Sequence, residues 1–173
     1  MWMTSTVVLL FAQLIGWQWT GAVPGFGHSF YQAPRSVSAG QVVCTFTYDH
    51  AKNTARTACA SNGRELWHTV ESRAFDDDAA LLIDNGTLYS ARYADISSGC
   101  KLHAFDLTTG RERWAVSLEG LGPIAHSEYL CSVQMSMVNG NPTVFGWESA
   151  GRYIEARDTA TGARTVHQVL STP

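Results

Sequence analysis

Charge is scarce in this chain. Only 16% of its 173 residues are Asp, Glu, Lys or Arg, the formal net charge is −3, and the basic residues are scattered. No basic run or patch argues for nucleic acid. The acidic run Asp76-Asp77-Asp78 stands alone, with no second ligand cluster, and reads as a solvated loop rather than a metal site. No C-x-x-C pair occurs, which speaks against a zinc ribbon or a thioredoxin-type site. Neither a Gly-x-Ser-x-Gly elbow nor a His-x-x-x-His pair is present. The histidines, His28, His50, His68, His103, His126 and His167, are dispersed; His103 and His167 read as packed or surface side chains. No catalytic constellation and no metal site is assigned, and no cofactor is implied by the residues themselves.

What is present is apolar and aromatic: 45% hydrophobic, with six Trp. The length suits one domain with a real core. Residues 1–22 differ from the rest. Val7 to Trp17 form an apolar run broken at Gln13, followed by the small residues Thr20, Gly21 and Ala22. The run is short for a membrane span and ends like a secretory signal, although its first six residues carry no Lys or Arg. A cleaved signal, a retained anchor and a buried N-terminal segment all remain open. Export would place the chain outside the cytoplasm, and the membrane would be touched only through this segment if retained. A lead-in rich in aromatics, Pro and Gly covers 23–39. Its residues 24–34, with Phe26, Phe30 and Tyr31, are expected to lie on the first sheet as a lid.

From 40 to 173 short β-rich runs alternate with turn signals such as "SNG", "DNG" and "NGNP". About ten or eleven short strands and no helical period predict an all-β chain. Asn85-Gly86-Thr87 fits a glycosylation acceptor and also a hairpin turn, and the turn explains it fully. The sequence also repeats. Gly63, Gly110 and Gly162 recur 47 and 52 residues apart, each inside a similar stretch: "TACASNGRELW", "AFDLTTGRERW" and "ARDTATGARTV". Units of about 40–78, 79–121 and 122–170 follow, each the size of a four-stranded propeller blade.

The middle stretch explains the repeat. The Asp106 carboxylate at a strand end can accept turn N–H groups. Thr109 suits the turn, and Gly110 takes positive φ without steric cost. Trp114 offers a flat surface to a neighbouring sheet, and Ala104 is small enough to allow close packing. The third copy keeps Ala156, Asp158, Thr161 and Gly162 but has Val166 in place of the aromatic, as a final unit without a successor would. The first keeps Gly63 and Trp67 and has Cys59 at the Asp position.

The pattern Ala-x-Asp-x-x-Thr-Gly-x-x-x-Trp resembles the tryptophan-docking motif of the quinoprotein (PQQ-like) β-propeller repeats over roughly residues 40 to 170. The resemblance implies about three antiparallel blades in a partial or open propeller. It implies an exported, non-catalytic binding or scaffold module with protein partners or self-association. The alternative is a fragment or relative of a quinone-dependent dehydrogenase. Those enzymes use a calcium-bound quinone, an Asp base and adjacent cysteines, and this chain has no adjacent cysteine pair.

Four cysteines permit two disulfides in an exported chain, or four buried thiols. If "DHAKN" turns the chain, strand partners have numbers that sum to about 103, which sets Cys44 opposite Cys59. Cys100 and Cys131 lie in successive units, and whether they pair is left open by the sequence.

Overall fold

The computed structural model describes residues 35–49, 51–72, 79–95, 99–118, 134–148 and 151–170. The chain divides into two units, Met1–Tyr31 and Gln32–Pro173, and all described residues belong to the second. The expected signal segment, the lid residues 24–34, Asp76 to Asp78, His28, His50, His126 and Cys131 lie outside the described residues.

Twelve strands and no helix occur among the described residues. They run β1 Ser36–Ala39, β2 Val42–Asp49, β3 Thr54–Ser61, β4 Arg64–Ser72, β5 Ala79–Asp84, β6 Thr87–Asp95, β7 Gly99–Asp106, β8 Glu112–Ser117, β9 Gln134–Val138, β10 Asn141–Glu148, β11 Gly151–Arg157 and β12 Arg164–Leu170. They form three separate four-stranded antiparallel meanders, β1–β4, β5–β8 and β9–β12. None closes on itself as a barrel, and together they are three blades of a partial propeller. Sequence patterning starts the β-region after Gly40. The structure begins earlier, because Ser36–Ala39 pair with Val42 to Thr45 as the edge strand of the first sheet. Four residues with alternating Ser are too few to show a period of two.

Local chemistry sets the hairpins. Asn62-Gly63, Asn85-Gly86 and Asn139-Gly140 all take positive φ at both residues, the requirement of a two-residue turn that matches strand twist. The third and fourth strands of every sheet are joined with a register shift, at Cys59/Ala60, Ala104/Phe105 and Ala156/Arg157. A bulge at the same place in each unit bends the outer strand and adds twist.

Alternation along the strands then makes two seams. Between the first and second sheets, Cys44, Phe46, Cys59 and Trp67 meet Leu81, Leu88, Phe105 and Leu107. Between the second and third, Tyr89, Leu102, Ala104 and Trp114 meet Val144, with Met135 and Met137 packed against them. The first strands of successive sheets, β1, β5 and β9, lie beside one another. No sheet buries both faces alone, so the seams supply the burial that a single hairpin meander lacks.

Candidate functional site

The turn between β7 and β8 is built around one carboxylate. Asp106 Oδ1 accepts from the backbone N–H groups of Thr108 and Thr109 at 3.2 and 3.0 Å. It also accepts from both threonine hydroxyls at 2.9 Å. Oδ2 accepts from Arg113 Nη2 at 2.7 Å. The guanidinium of Arg113, then the Thr108 hydroxyl and the turn donors, hold this carboxyl well below the usual carboxylate range. The turn closes with Gly110 N–H donating to Asp106 O at 2.9 Å. In the third sheet Asp158 repeats the arrangement: Oδ1 accepts from Thr161 Oγ1 at 2.7 Å, Thr161 N–H at 2.8 Å and Ala160 N–H at 3.1 Å. The Thr161 hydroxyl is the main cause of its lowered pKa.

These turns present a carbonyl and a bare glycine to the sheet before them. Trp67 Nε1–H of β4 donates to Leu107 O at 2.8 Å. Its ring lies so close over Gly110 that a Cβ there would be 2.5 Å from Cδ2. Trp114 Nε1–H of β8 donates to Thr159 O at 3.0 Å, and a Cβ on Gly162 would be 2.8 Å from its Cε3. Both indoles are buried, at 8% and 9% exposure. Trp67 also meets Phe105, and Trp114 meets Tyr89, with tilted rings at 5.7 and 5.9 Å. Ala104 is fully buried opposite Trp114 in the sheet. Reading the glycines as turn residues alone misses their second role, which is to leave room for an indole from the preceding sheet.

The ends of the series differ. Gly63 has the same positive φ, +75°, yet nothing lies within 4 Å of the place a Cβ would occupy. Its turn has two residues, which corrects the alignment on glycines: Cys59 pairs with Trp67 as Ala104 pairs with Trp114 and Ala156 with Val166, so it holds the alanine position and not the Asp position. Cys59 therefore faces inward, and is disulfide-bonded to its register partner Cys44 with Cα atoms 4.0 Å apart. Cys100 is disulfide-bonded as well. At the other end Ala156 is buried beside Val166, which is 45% exposed.

Sequence reasoning overlooked Arg92, Glu155 and Arg157 inside the seams, and named His103 only as a packed or surface side chain. Arg92, only 2% exposed, reaches across the first seam; Nη1 donates to Thr57 Oγ1 at 3.1 Å and Nη2 to Glu71 Oε1. His103 Nδ1 lies 2.8 Å from Glu112 Oε2, and its ring stacks on Phe105. Burial first, then the neighbouring Arg92, hold His103 below the usual imidazole pKa. In the second seam Arg157 Nε donates to Glu155 Oε1 at 2.6 Å, and Nη2 donates to Ser117 O at 2.9 Å. The signal available in the sequence was an ionisable residue at an inward position of an alternating strand, as in "YSARY" and "YIEAR". His68 and His167 are exposed. Asn85-Gly86 forms the β5–β6 turn. Among the described residues no group of three or more His, Cys, Asp or Glu is placed to hold a metal ion.

No family model and no curated protein matches this chain. Solved structures do. One is a europium-containing methanol dehydrogenase. The likeness has a TM-score of 0.56 at 16% identity and covers 89% of this chain but 26% of the other. This chain thus spans about a quarter of the length of that protein. At such identity the likeness concerns the fold, and the fold is that of stacked propeller blades.

Proposed function

We propose that this chain is a non-catalytic, exported propeller-repeat module that acts by binding or scaffolding. One observation carries the reading: the polar groups of the repeated motif are spent on architecture. Asp106 and Asp158 are occupied by turn N–H groups and hydroxyls. Both indole N–H groups are given to carbonyls of the next sheet. Nothing in the motif is left to transfer a proton or attack a substrate. Propeller sheets serve partners through loops and exposed faces. Val43, Leu66 and Val70 are exposed apolar side chains of the first sheet. Partners are protein or a second copy, with no nucleic acid. Disulfides at Cys44–Cys59 and at Cys100 support an oxidising compartment outside the cytoplasm.

The structural likeness favours a second reading, a fragment or relative of a quinone-dependent dehydrogenase. The described residues do not fit a calcium-bound quinone. The motif carboxylates are already committed to their turns, and Cys44 and Cys59 are not adjacent but 15 residues apart. The two readings separate in one experiment. The full chain is mixed with pyrroloquinoline quinone and calcium, desalted, and scanned for bound cofactor and dye-linked alcohol oxidation. We expect neither. Retained cofactor with turnover would establish the enzyme reading instead.

A further inference from the structure

The first seam contains polar atoms that its own side chains do not satisfy. Among the described residues, Thr69 Oγ1, Ser90 Oγ, Arg92 Nε and His103 Nε2 are buried without a hydrogen-bond partner. They are neighbours. Ser90 and His103 are cross-strand partners, and Arg92 stands two residues beyond Ser90 on the same face. Thr69 is the cross-strand partner of Thr57, whose hydroxyl receives Arg92 Nη1 at 3.1 Å. Among the described residues the second seam has one such atom, Glu155 Oε2. Orphaned groups in an apolar seam carry the full penalty of their lost hydration.

The chemistry of the four atoms selects what satisfies them. His103 Nδ1 is 2.8 Å from a carboxylate oxygen of Glu112, so the single proton of the neutral ring sits there and Nε2 presents a lone pair. Arg92 Nε–H can only donate. The two hydroxyls do either. A metal ion would be repelled by Arg92. An anion would meet the Nε2 lone pair and the carboxylates of Glu71 and Glu112. A neutral molecule that donates and accepts serves all four. We propose that the seam between the first and second sheets is a binding site for ordered water, which accepts from Arg92 Nε–H and donates to the Nε2 lone pair of neutral His103. The inference rests on the fold and not on the functional reading above.

Protonation would convert Nε2 from acceptor to donor. Water can accept from two donors, so the cost of protonation is electrostatic: imidazolium would stand beside Arg92. The charged groups around His103 are Arg92, Glu71 and Glu112, with Lys101 two residues along its own strand. Burial and Arg92 oppose the proton; the Glu112 hydrogen bond and the two carboxylates favour it, and the net effect is a lowered pKa. The folded chain therefore binds this proton more weakly than the unfolded chain does. The stability involved is present above the ordinary imidazole pKa of about 6.5 and is lost as pH falls through it towards the lower folded value.

Three measurements on the full chain test this. A crystal structure at pH 8 should show water within hydrogen-bond distance of both Arg92 Nε and His103 Nε2; a dry seam overturns the proposal. Imidazole ¹⁵N shifts at pH 8 should report His103 protonated at Nδ1; the Nε2–H tautomer overturns it. Acidification from pH 8 to 5 should lower the melting temperature more in the wild type than in His103→Gln, by the equivalent of up to one proton taken up on unfolding. Equal acid slopes overturn it. Should His103→Gln fail to fold, the first two measurements decide alone.

Discussion

Gly110 and Gly63 share a backbone conformation but not a neighbour. At Gly63 a side chain would meet only left-handed strain, because nothing lies nearby. At Gly110 it would also meet the Trp67 ring at 2.5 Å. Strain costs roughly 1 kcal/mol, and overpacking against a ring held between sheets adds about 1–3 kcal/mol. Gly110→Ala should therefore destabilise by about 2 kcal/mol or more and shift the tryptophan emission to the red. Gly63→Ala should cost about 1 kcal/mol and leave emission unchanged. Urea titrations followed by fluorescence check both, and equal losses would mean that the indole does not rest on Gly110. Asp106 adds a pH dependence at the same scale. Its folded pKa is depressed, so its contribution is present above the ordinary carboxyl pKa of about 3.9 and is lost as pH falls through and below it. Asp106→Asn should flatten the acid limb of the stability profile, measured by melts from pH 6 to 2. A limb as steep as in the wild type would show that the turn does not depend on the carboxylate charge.

The first sheet does without the Asp turn, and its hairpin carries a disulfide instead. All β2–β3 partners have numbers that sum to 103, so Val42 faces Ser61, Asp49 faces Thr54, and Cys44 faces Cys59. That arithmetic needs only the turn at 49–53 and is legible in the sequence. The bond closes a loop of 15 residues, for which the chain-entropy estimate is about 3 kcal/mol. Cys44→Ala/Cys59→Ala should be less stable by that order in urea. An undiminished midpoint would show that the bond constrains little. Strands and hairpins were legible because Asn-Gly turns and alternating runs are local signals. β1 was not, since "SVSA" is too short to alternate visibly. The seam residues were not either. Arg92, Glu155 and Arg157 sit at inward positions where charge is costly; the neighbouring sheet supplies Thr57 and Glu71 for Arg92 and the Ser117 carbonyl for Arg157, while Glu155 and Arg157 pair with each other along one strand. The roles of Leu107 O and Thr159 O were equally hidden, because a backbone acceptor leaves no mark in the side-chain pattern.

Across the three sheets, docking runs in one direction. Each contact needs a donor tryptophan on a fourth strand and a receiving turn on the next sheet, with its Asp-held loop, offered carbonyl and uncovered glycine. Trp67 and Trp114 are the donors; the turns at 106–111 and 158–163 receive them. Among the described residues the third sheet has no donor at this position of its fourth strand, since Val166 stands there, 45% exposed. The first sheet has no receiver, since its Asn62-Gly63 turn is two residues long and Cys59 is held in a disulfide. Copies of this chain therefore cannot join head to tail by the contact that joins their own sheets. Supplying half of the contact should not change this. Val166→Trp should place an exposed indole on the last sheet without a turn to receive it, so the variant should remain in the wild-type oligomeric state. Were a receiver present, the contact would be heterologous and would extend into rings or filaments with rising concentration. Light scattering and sedimentation of both proteins over a hundredfold concentration range distinguish the outcomes. Concentration-dependent growth of Val166→Trp that is abolished by Gly63→Val would show that the first sheet receives tryptophan after all. An unchanged state leaves association, where it occurs, to other surfaces such as the exposed apolar side chains Val43, Leu66 and Val70.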